Sequence, residues 1–102
     1  MRKTLLQIDF PFAGPFGADM AAALGGLARD IASEAELEWK IWTENAETGK
    51  AGGIYLFADA GNAARYLEKH VKRLEGFGIT GINAETFSIN PALSAITRAS
   101  FV

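Results

Sequence analysis

The amino-acid sequence predicts an α+β domain in which two helices cover one face of a four-stranded antiparallel sheet. Four segments alternate between apolar and polar residues with the period of two that is typical of β-strands. Two longer segments repeat apolar residues every three or four positions, the spacing of a helix with one buried face. The order is β-α-β-β-α-β. With 102 residues, 49% of them hydrophobic, we predict a single domain over residues 1–102.

The central element is a predicted hairpin over residues 37–57, which contains both tryptophans. The alternation divides its first strand into a face with Leu37, Trp39 and Ile41 and a face with Glu38, Lys40, Trp42 and Glu44. Its second strand places Ile54 and Leu56 on one face and Tyr55 and Phe57 on the other. Since both faces of this strand are apolar, we expect cover above and below it.

The flanking elements follow from the same patterns. A first strand is predicted over residues 3–10, and a helix over residues 17–33 carries the apolar stripe Met20, Leu24, Leu27 and Ile31. A second helix starts at Asp59, a plausible N-cap, and its buried stripe is Ala63, Leu67, His70, Val71 and Leu74. A last strand is predicted over residues 79–89, and Asn90-Pro91 begins a short C-terminal helix over residues 92–98.

This order is the ferredoxin-like, or split βαβ, pattern. The helices cover one sheet face, and the other face keeps more apolar side chains than a small monomer normally exposes. We therefore expect two copies to pair face to face as a homodimer.

Composition excludes several classes of function. The net charge is −2 and no basic stripe is present, so nucleic-acid binding is not expected. The chain has no cysteine and one histidine, which do not build a transition-metal site. The apolar run at the N-terminus is too short for a signal peptide or a membrane span, so we expect a cytoplasmic protein without membrane contact.

The candidate site residues are His70 and the aromatic residues of the hairpin. His70 falls on the helix stripe that faces the sheet and is the one base expected to titrate near neutral pH. Trp39, Trp42 and Tyr55 could line a pocket for a flat aromatic ligand. Glu44 could orient a base or a ligand hydroxyl, and Asn62 could bind a ligand or satisfy its helix end. Core packing, interface packing and solvation are the alternative roles of these side chains.

The sequence resembles the YdhR-type monooxygenase family, a member of the dimeric α/β-barrel superfamily. Four blocks in the same order carry the resemblance: TLLQIDFPFAGPFG (residues 4–17), WKIWTE (39–44), AGGIYLF (51–57) and YLEKHVKRL (66–74). The resemblance implies a sheet-to-sheet homodimer. It also implies oxidation of a hydroxylated polycyclic aromatic molecule by molecular oxygen, with no flavin, haem or metal cofactor.

In that chemistry His70 and Tyr55 would be the catalytic residues, and Trp39, Trp42, Glu44 and Asn62 would contact the substrate. Phe10 and Phe16 would close the pocket mouth. Two other functions stay open at this point: non-catalytic binding of a small apolar molecule, and haem binding, for which His70 is the only obvious axial ligand.

Overall fold

The computed structural model describes residues 3–100, so Met1, Arg2, Phe101 and Val102 of the predicted domain lie outside the described residues. The described chain confirms the predicted order of elements: β1 (Thr4–Pro11), α1 (Gly17–Ala32), β2 (Leu37–Asn45), β3 (Lys50–Phe57), α2 (Ala60–Gly76), β4 (Asn83–Ser88) and α3 (Pro91–Ile96). Two helix starts follow the expected capping. Asp59 accepts a hydrogen bond from the Asn62 amide at 2.8 Å, and Asn90 accepts one from the Leu93 amide at 3.1 Å.

The four strands form one antiparallel sheet with the order β2-β3-β1-β4. This is the ferredoxin-like arrangement, and the predicted fold class is confirmed. The last strand is shorter than predicted because it begins at Asn83, not at residue 79. Gly78 and Gly81 adopt φ values of 84° and 69°, which end α2 and turn the chain before pairing with β1 begins.

A β-bulge divides the first limb of the hairpin. Leu37 pairs with Phe57 but Trp39 pairs with Leu56, so Glu38 is an extra residue in β2. Paired residues of antiparallel strands project to the same face, and Leu37 and Trp39 therefore project to opposite faces. The prediction that these two share a face is wrong, because simple alternation takes no account of an inserted residue.

The core lies between the helices and one face of the sheet, which we call the covered face. Its sheet residues include Leu6, Ile8, Phe10, Tyr55 and Phe57, and its helix residues are Met20, Ile31, Ala63, Tyr66 and Leu74. Leu24 and Leu27 complete the predicted stripe of α1 and pack against this core. His70 is also buried here, with 3% of its surface exposed, as its position on the stripe predicted.

The core residues of α1 and α2 pack on the covered face, and we call the opposite face of the sheet the open face. It carries the apolar side chains Leu5, Trp39, Ile41, Ile54, Leu56 and Phe87. Leu56 is fully buried among its strand neighbours, whereas Ile41 is 48% and Phe87 42% exposed. Short α3 likewise exposes Leu93 and Ile96. None of the helices within residues 3–100 has both the length and the apolar character needed to cross a bilayer.

Candidate active site

A cavity of about 360 Å³ lies between the covered face of the sheet and the two long helices. Phe10 and Phe12 form part of its apolar wall. Helix α1 contributes Met20, Leu24 and Leu27, and the end of α2 with the segment after it contributes Leu74, Phe77 and Ile79. Its polar groups come from Lys40, Tyr55 and His70, and Trp42 supplies an indole wall. A mostly apolar chamber with a few convergent polar groups is the usual form of a small-molecule site.

Small residues at the start of β3 leave the space open. Ala51 and Gly53 occupy alternate positions there and pair with Phe10 and Ile8 of the covered face, so little side-chain volume fills the region beneath α1. Gly53 pairs with Trp42 and with Ile8. A Cβ atom at Gly53 would lie 2.5 Å from Cε of Lys40 and 3.1 Å from Cε1 of Tyr55. The missing side chain is therefore what allows the Lys40 side chain to cross the sheet surface at this position.

Tyr55, Tyr66 and His70 form a buried group of rings at the polar side of the cavity. The imidazole stacks on Tyr66 with ring centroids 5.1 Å apart and meets Tyr55 edge-on at 6.3 Å. The Tyr66 hydroxyl donates to the Tyr55 hydroxyl at 3.3 Å. Burial, together with the neighbouring Tyr66, raises the pKa of Tyr55 far above its usual range. Tyr55 is thus a neutral hydroxyl at the cavity wall.

Arg73 fixes the tautomer of His70. Its Nε and Nη2 atoms lie 3.2 and 3.0 Å from Nδ1 of His70, and its Nη1 donates to Oδ2 of Asp30 at 2.7 Å. A guanidinium only donates hydrogen bonds, so Nδ1 must accept and the imidazole proton resides on Nε2.

Burial is the main cause that lowers the pKa of His70 to about 3, and the charges of Lys40, Arg73 and Lys69 add to it. The sequence-based expectation of a base that titrates near neutral pH is therefore wrong, since it assumes the ordinary imidazole pKa for a group that is buried and faces basic side chains.

Lys40 is the principal site residue that the sequence analysis did not identify. Its Nζ atom lies 3.2 Å from the ring centroid of Trp42 and 4.8 Å from that of Tyr55. Burial, and then the charge of Arg73, lower the pKa of Lys40 to about 7. The face of Trp42 attracts the ammonium form and acts in the opposite direction. Alternation places Lys40 on the same strand face as Trp42, but a strand lysine is ordinarily solvated, so the sequence pattern alone does not indicate a site there.

The other predicted site residues divide between the cavity and its surroundings. Phe10 lines the cavity. Phe16 does not: its ring packs edge-on against that of Phe12 with centroids 5.8 Å apart, and Phe12 lines the cavity in its place. Trp39 does not line the cavity, because the bulge turns it to the open face. The structure thus brings together only four of the predicted residues: Phe10, Trp42, Tyr55 and His70.

Glu44 and Asn62 have structural partners outside this cavity. Glu44 accepts a hydrogen bond from the Gly17 amide at 2.8 Å, at the start of α1, and borders a separate pocket of about 260 Å³. The Asn62 side chain binds the capping carboxylate of Asp59 and accepts from Arg65. For Asn62 the structure supports the helix-end role that the sequence left open. Within residues 3–100 no three His, Asp or Glu side chains are grouped so that they could hold a metal ion.

Comparison with known proteins identifies the family and the fold. A family model described as "Putative mono-oxygenase ydhR" matches residues 5–100. No curated protein sequence matches the chain. Among solved structures, one described as a "putative antibiotic biosynthesis monooxygenase" from Deinococcus radiodurans is 14% identical, with a TM-score of 0.57 over 85% of this chain and 92% of that one. A protein of unknown function from Nitrosomonas europaea is 18% identical, with a TM-score of 0.59 over 87% and 90%. At these identities the two structures share the fold alone.

Proposed function

Because the chain belongs to the ydhR mono-oxygenase family, we propose that it oxidises a flat, hydroxylated aromatic molecule with molecular oxygen and without a further cofactor. The observation that carries this proposal is that Trp42, Tyr55 and His70 line one largely apolar cavity. Its volume of about 360 Å³ suits a molecule of a few fused rings.

The proposed chemistry draws its electrons from the substrate. A phenol loses its hydroxyl proton, and the phenolate transfers one electron to O2. The two radicals combine into a C–O bond, and the resulting peroxide releases water. The sum is phenol plus O2 giving quinone plus water, in which the ring loses four electrons and O2 gains four. The protein then needs only to hold the ring, exclude water and stabilise the oxygen anions.

The residues of the cavity divide these tasks. Phe10 and Trp42 offer apolar ring surface against which a flat molecule can pack, with one face of Trp42 covered by the Lys40 amine. His70, held through Nδ1 by Arg73, presents Nε2–H as a fixed donor, and the neutral Tyr55 hydroxyl is a second donor beside it. Donors already oriented in an apolar chamber stabilise a developing oxyanion strongly, because water does not compete for them.

We also propose that the protein acts as a homodimer joined through the open face. Six apolar side chains lie on this face, and Ile41 and Phe87 remain substantially exposed in one copy. A second copy is the occupant that the fold family suggests, because an isologous interface pairs the same patch with itself. At about 25 cal/mol per Å², burial of a few hundred Å² would contribute several kcal/mol.

The direct test is oxygen consumption with a panel of anthrone- and naphthol-like phenols, in the presence of a metal chelator. Two substitutions at His70 give a matched pair. His70→Gln can place an amide donor near the position of Nε2, whereas His70→Asn can replace only the Nδ1 acceptor. We expect His70→Gln to be about tenfold more active than His70→Asn. One oriented hydrogen-bond donor should lower the activation free energy by about 1–2 kcal/mol, which corresponds to a rate difference of this size.

No turnover of any phenol in the panel by the wild-type protein would reject the oxygenase proposal. Saturable quenching of tryptophan fluorescence without product would instead favour a protein that binds a small apolar molecule and does no chemistry.

A further inference from the structure

We propose that Lys40 takes the hydroxyl proton of the bound aromatic molecule and then holds the resulting phenolate, so that the ligand class is a phenol bound as its anion. In this step the phenol O–H bond breaks, an N–H bond forms on Nζ, and the electron pair stays on the phenolate oxygen. The inference rests on the proposed function for the identity of the ligand. It adds a proton acceptor that neither the family assignment nor the ring cluster supplies.

The position of the amine is the first support. Lys40 lines the cavity, and its Nζ lies 3.2 Å from the centroid of the Trp42 ring and 4.8 Å from that of Tyr55, two rings of the same cavity wall. A hydroxylated ring bound in this chamber therefore has the amine among the polar groups that its hydroxyl can reach. Gly53 leaves the space that Cε of Lys40 occupies, since a Cβ there would lie 2.5 Å from this atom.

The charges around Lys40 are the second support. The titratable groups that face it are Tyr55 from β3 and His70 and Arg73 from α2; toward α1 the charge of Arg73 is already paired with Asp30. Lys40 makes no ion pair with any carboxylate of residues 3–100. Once Lys40 has taken up a proton, its charge has no carboxylate counterion among the described residues, and an anionic ligand oxygen would supply one.

Protonation states are the third support. A base must be unprotonated before it accepts a proton, and its conjugate acid must persist afterwards, which favours a pKa near the working pH. Lys40, with its pKa near 7, meets both conditions. His70, with its pKa at about 3, stays a neutral imidazole and does not become an imidazolium at neutral pH. The two groups therefore have different tasks: Lys40 accepts the proton and His70 donates a hydrogen bond.

The experiment uses 4-nitrophenol, whose phenolate absorbs visible light and whose nitro group makes the ring resistant to oxidation. The full-length protein is titrated with this probe across the neutral pH range, and the ionised fraction of the bound probe is read from its spectrum. For the wild-type protein we expect the apparent pKa of the bound probe to fall by about one unit or more. Lys40→Met should abolish the shift, while Lys72→Met, which removes the same charge from an exposed position, should leave it unchanged.

Equal ionisation of the probe in the wild-type protein and in Lys40→Met would overturn the inference, as would failure of the wild-type protein to bind the probe. If Lys40→Met does not fold, Lys40→Gln replaces it with a neutral polar side chain and carries the same expectation. The result is independent of turnover. A Lys40-dependent pKa shift without oxidation of any phenol would support the anion site and reject the oxygenase. Turnover of a phenol without a pKa shift would support the oxygenase and reject the anion site.

Discussion

The low pKa of His70 predicts a specific loss of stability in acid. In the folded protein the pKa is about 3, whereas the unfolded chain has the ordinary value of 6.5. Between these values the unfolded state binds a proton that the folded state does not, so the free energy of unfolding falls as the pH falls from 6.5 towards 3. The slope is about 1.4 kcal/mol per pH unit. At two units below 6.5 the accumulated loss is about 3 kcal/mol, a large part of the stability of a small domain.

The assay is urea unfolding of the wild-type protein and of His70→Asn between pH 7 and pH 4.5. The carboxylates titrate in both proteins, so the difference between the two pH profiles isolates the histidine. We expect the wild-type protein to lose about 2–3 kcal/mol more than the variant over this range. Because His70 is the only histidine, its imidazole NMR signal also reports the titration directly. Parallel unfolding profiles, or an NMR midpoint near pH 6.5, would refute the assignment of a neutral imidazole held by Arg73.

Three further predictions concern the cavity and the open face. The pKa of Lys40 is about 7 in the folded protein and 10.5 in the unfolded chain, so between these values the unfolded state keeps a proton that the folded state has lost. The unfolding free energy of the wild-type protein should therefore rise from pH 7 to 10 relative to that of Lys40→Met. After allowance for partial exposure and the Trp42 ring, we expect about 1 kcal/mol per pH unit or less in urea titrations, and a flat difference would contradict it. Gly53→Ala should push Lys40 aside and weaken binding of nitrophenolate about tenfold by spectroscopic titration; unchanged affinity would show that the space at Gly53 does not position the amine. Ile41→Glu should weaken self-association about a hundredfold or more in light-scattering dilution series, because each copy would bury an unpaired carboxylate; a persistent dimer would exclude the open face as the interface.

Sequence patterns were sufficient for the fold because each element carries its own local signal. The stripe of α1, the Asp59 cap and the alternation of β3 depend only on residues close together in the chain, and all three appear in the structure as predicted. The start of β4 was misplaced, since positive φ at Gly78 and Gly81 cannot be read from residue type alone. Local information thus determined which elements form, but not where each one ends.

The site was less predictable because it depends on pairing register and on burial. Trp39 was expected in the cavity, but one extra residue in β2 turns it to the other face. The sequence does not single out Lys40, since only the folded chain brings Gly53 beside it and buries much of its side chain. The protonation of His70 likewise depends on Arg73 and Lys40, which come from α2 and β2 and meet only in the folded protein.

The bulge at Glu38 has a practical consequence for spectroscopy. The chain contains two tryptophans, and the bulge sends one indole to each side of the same sheet. Emission from a Trp39→Phe variant would come from the chamber wall, and emission from a Trp42→Phe variant would come from the open face. Occupancy of the chamber and separation of two copies could then be followed as independent optical signals, without any added label.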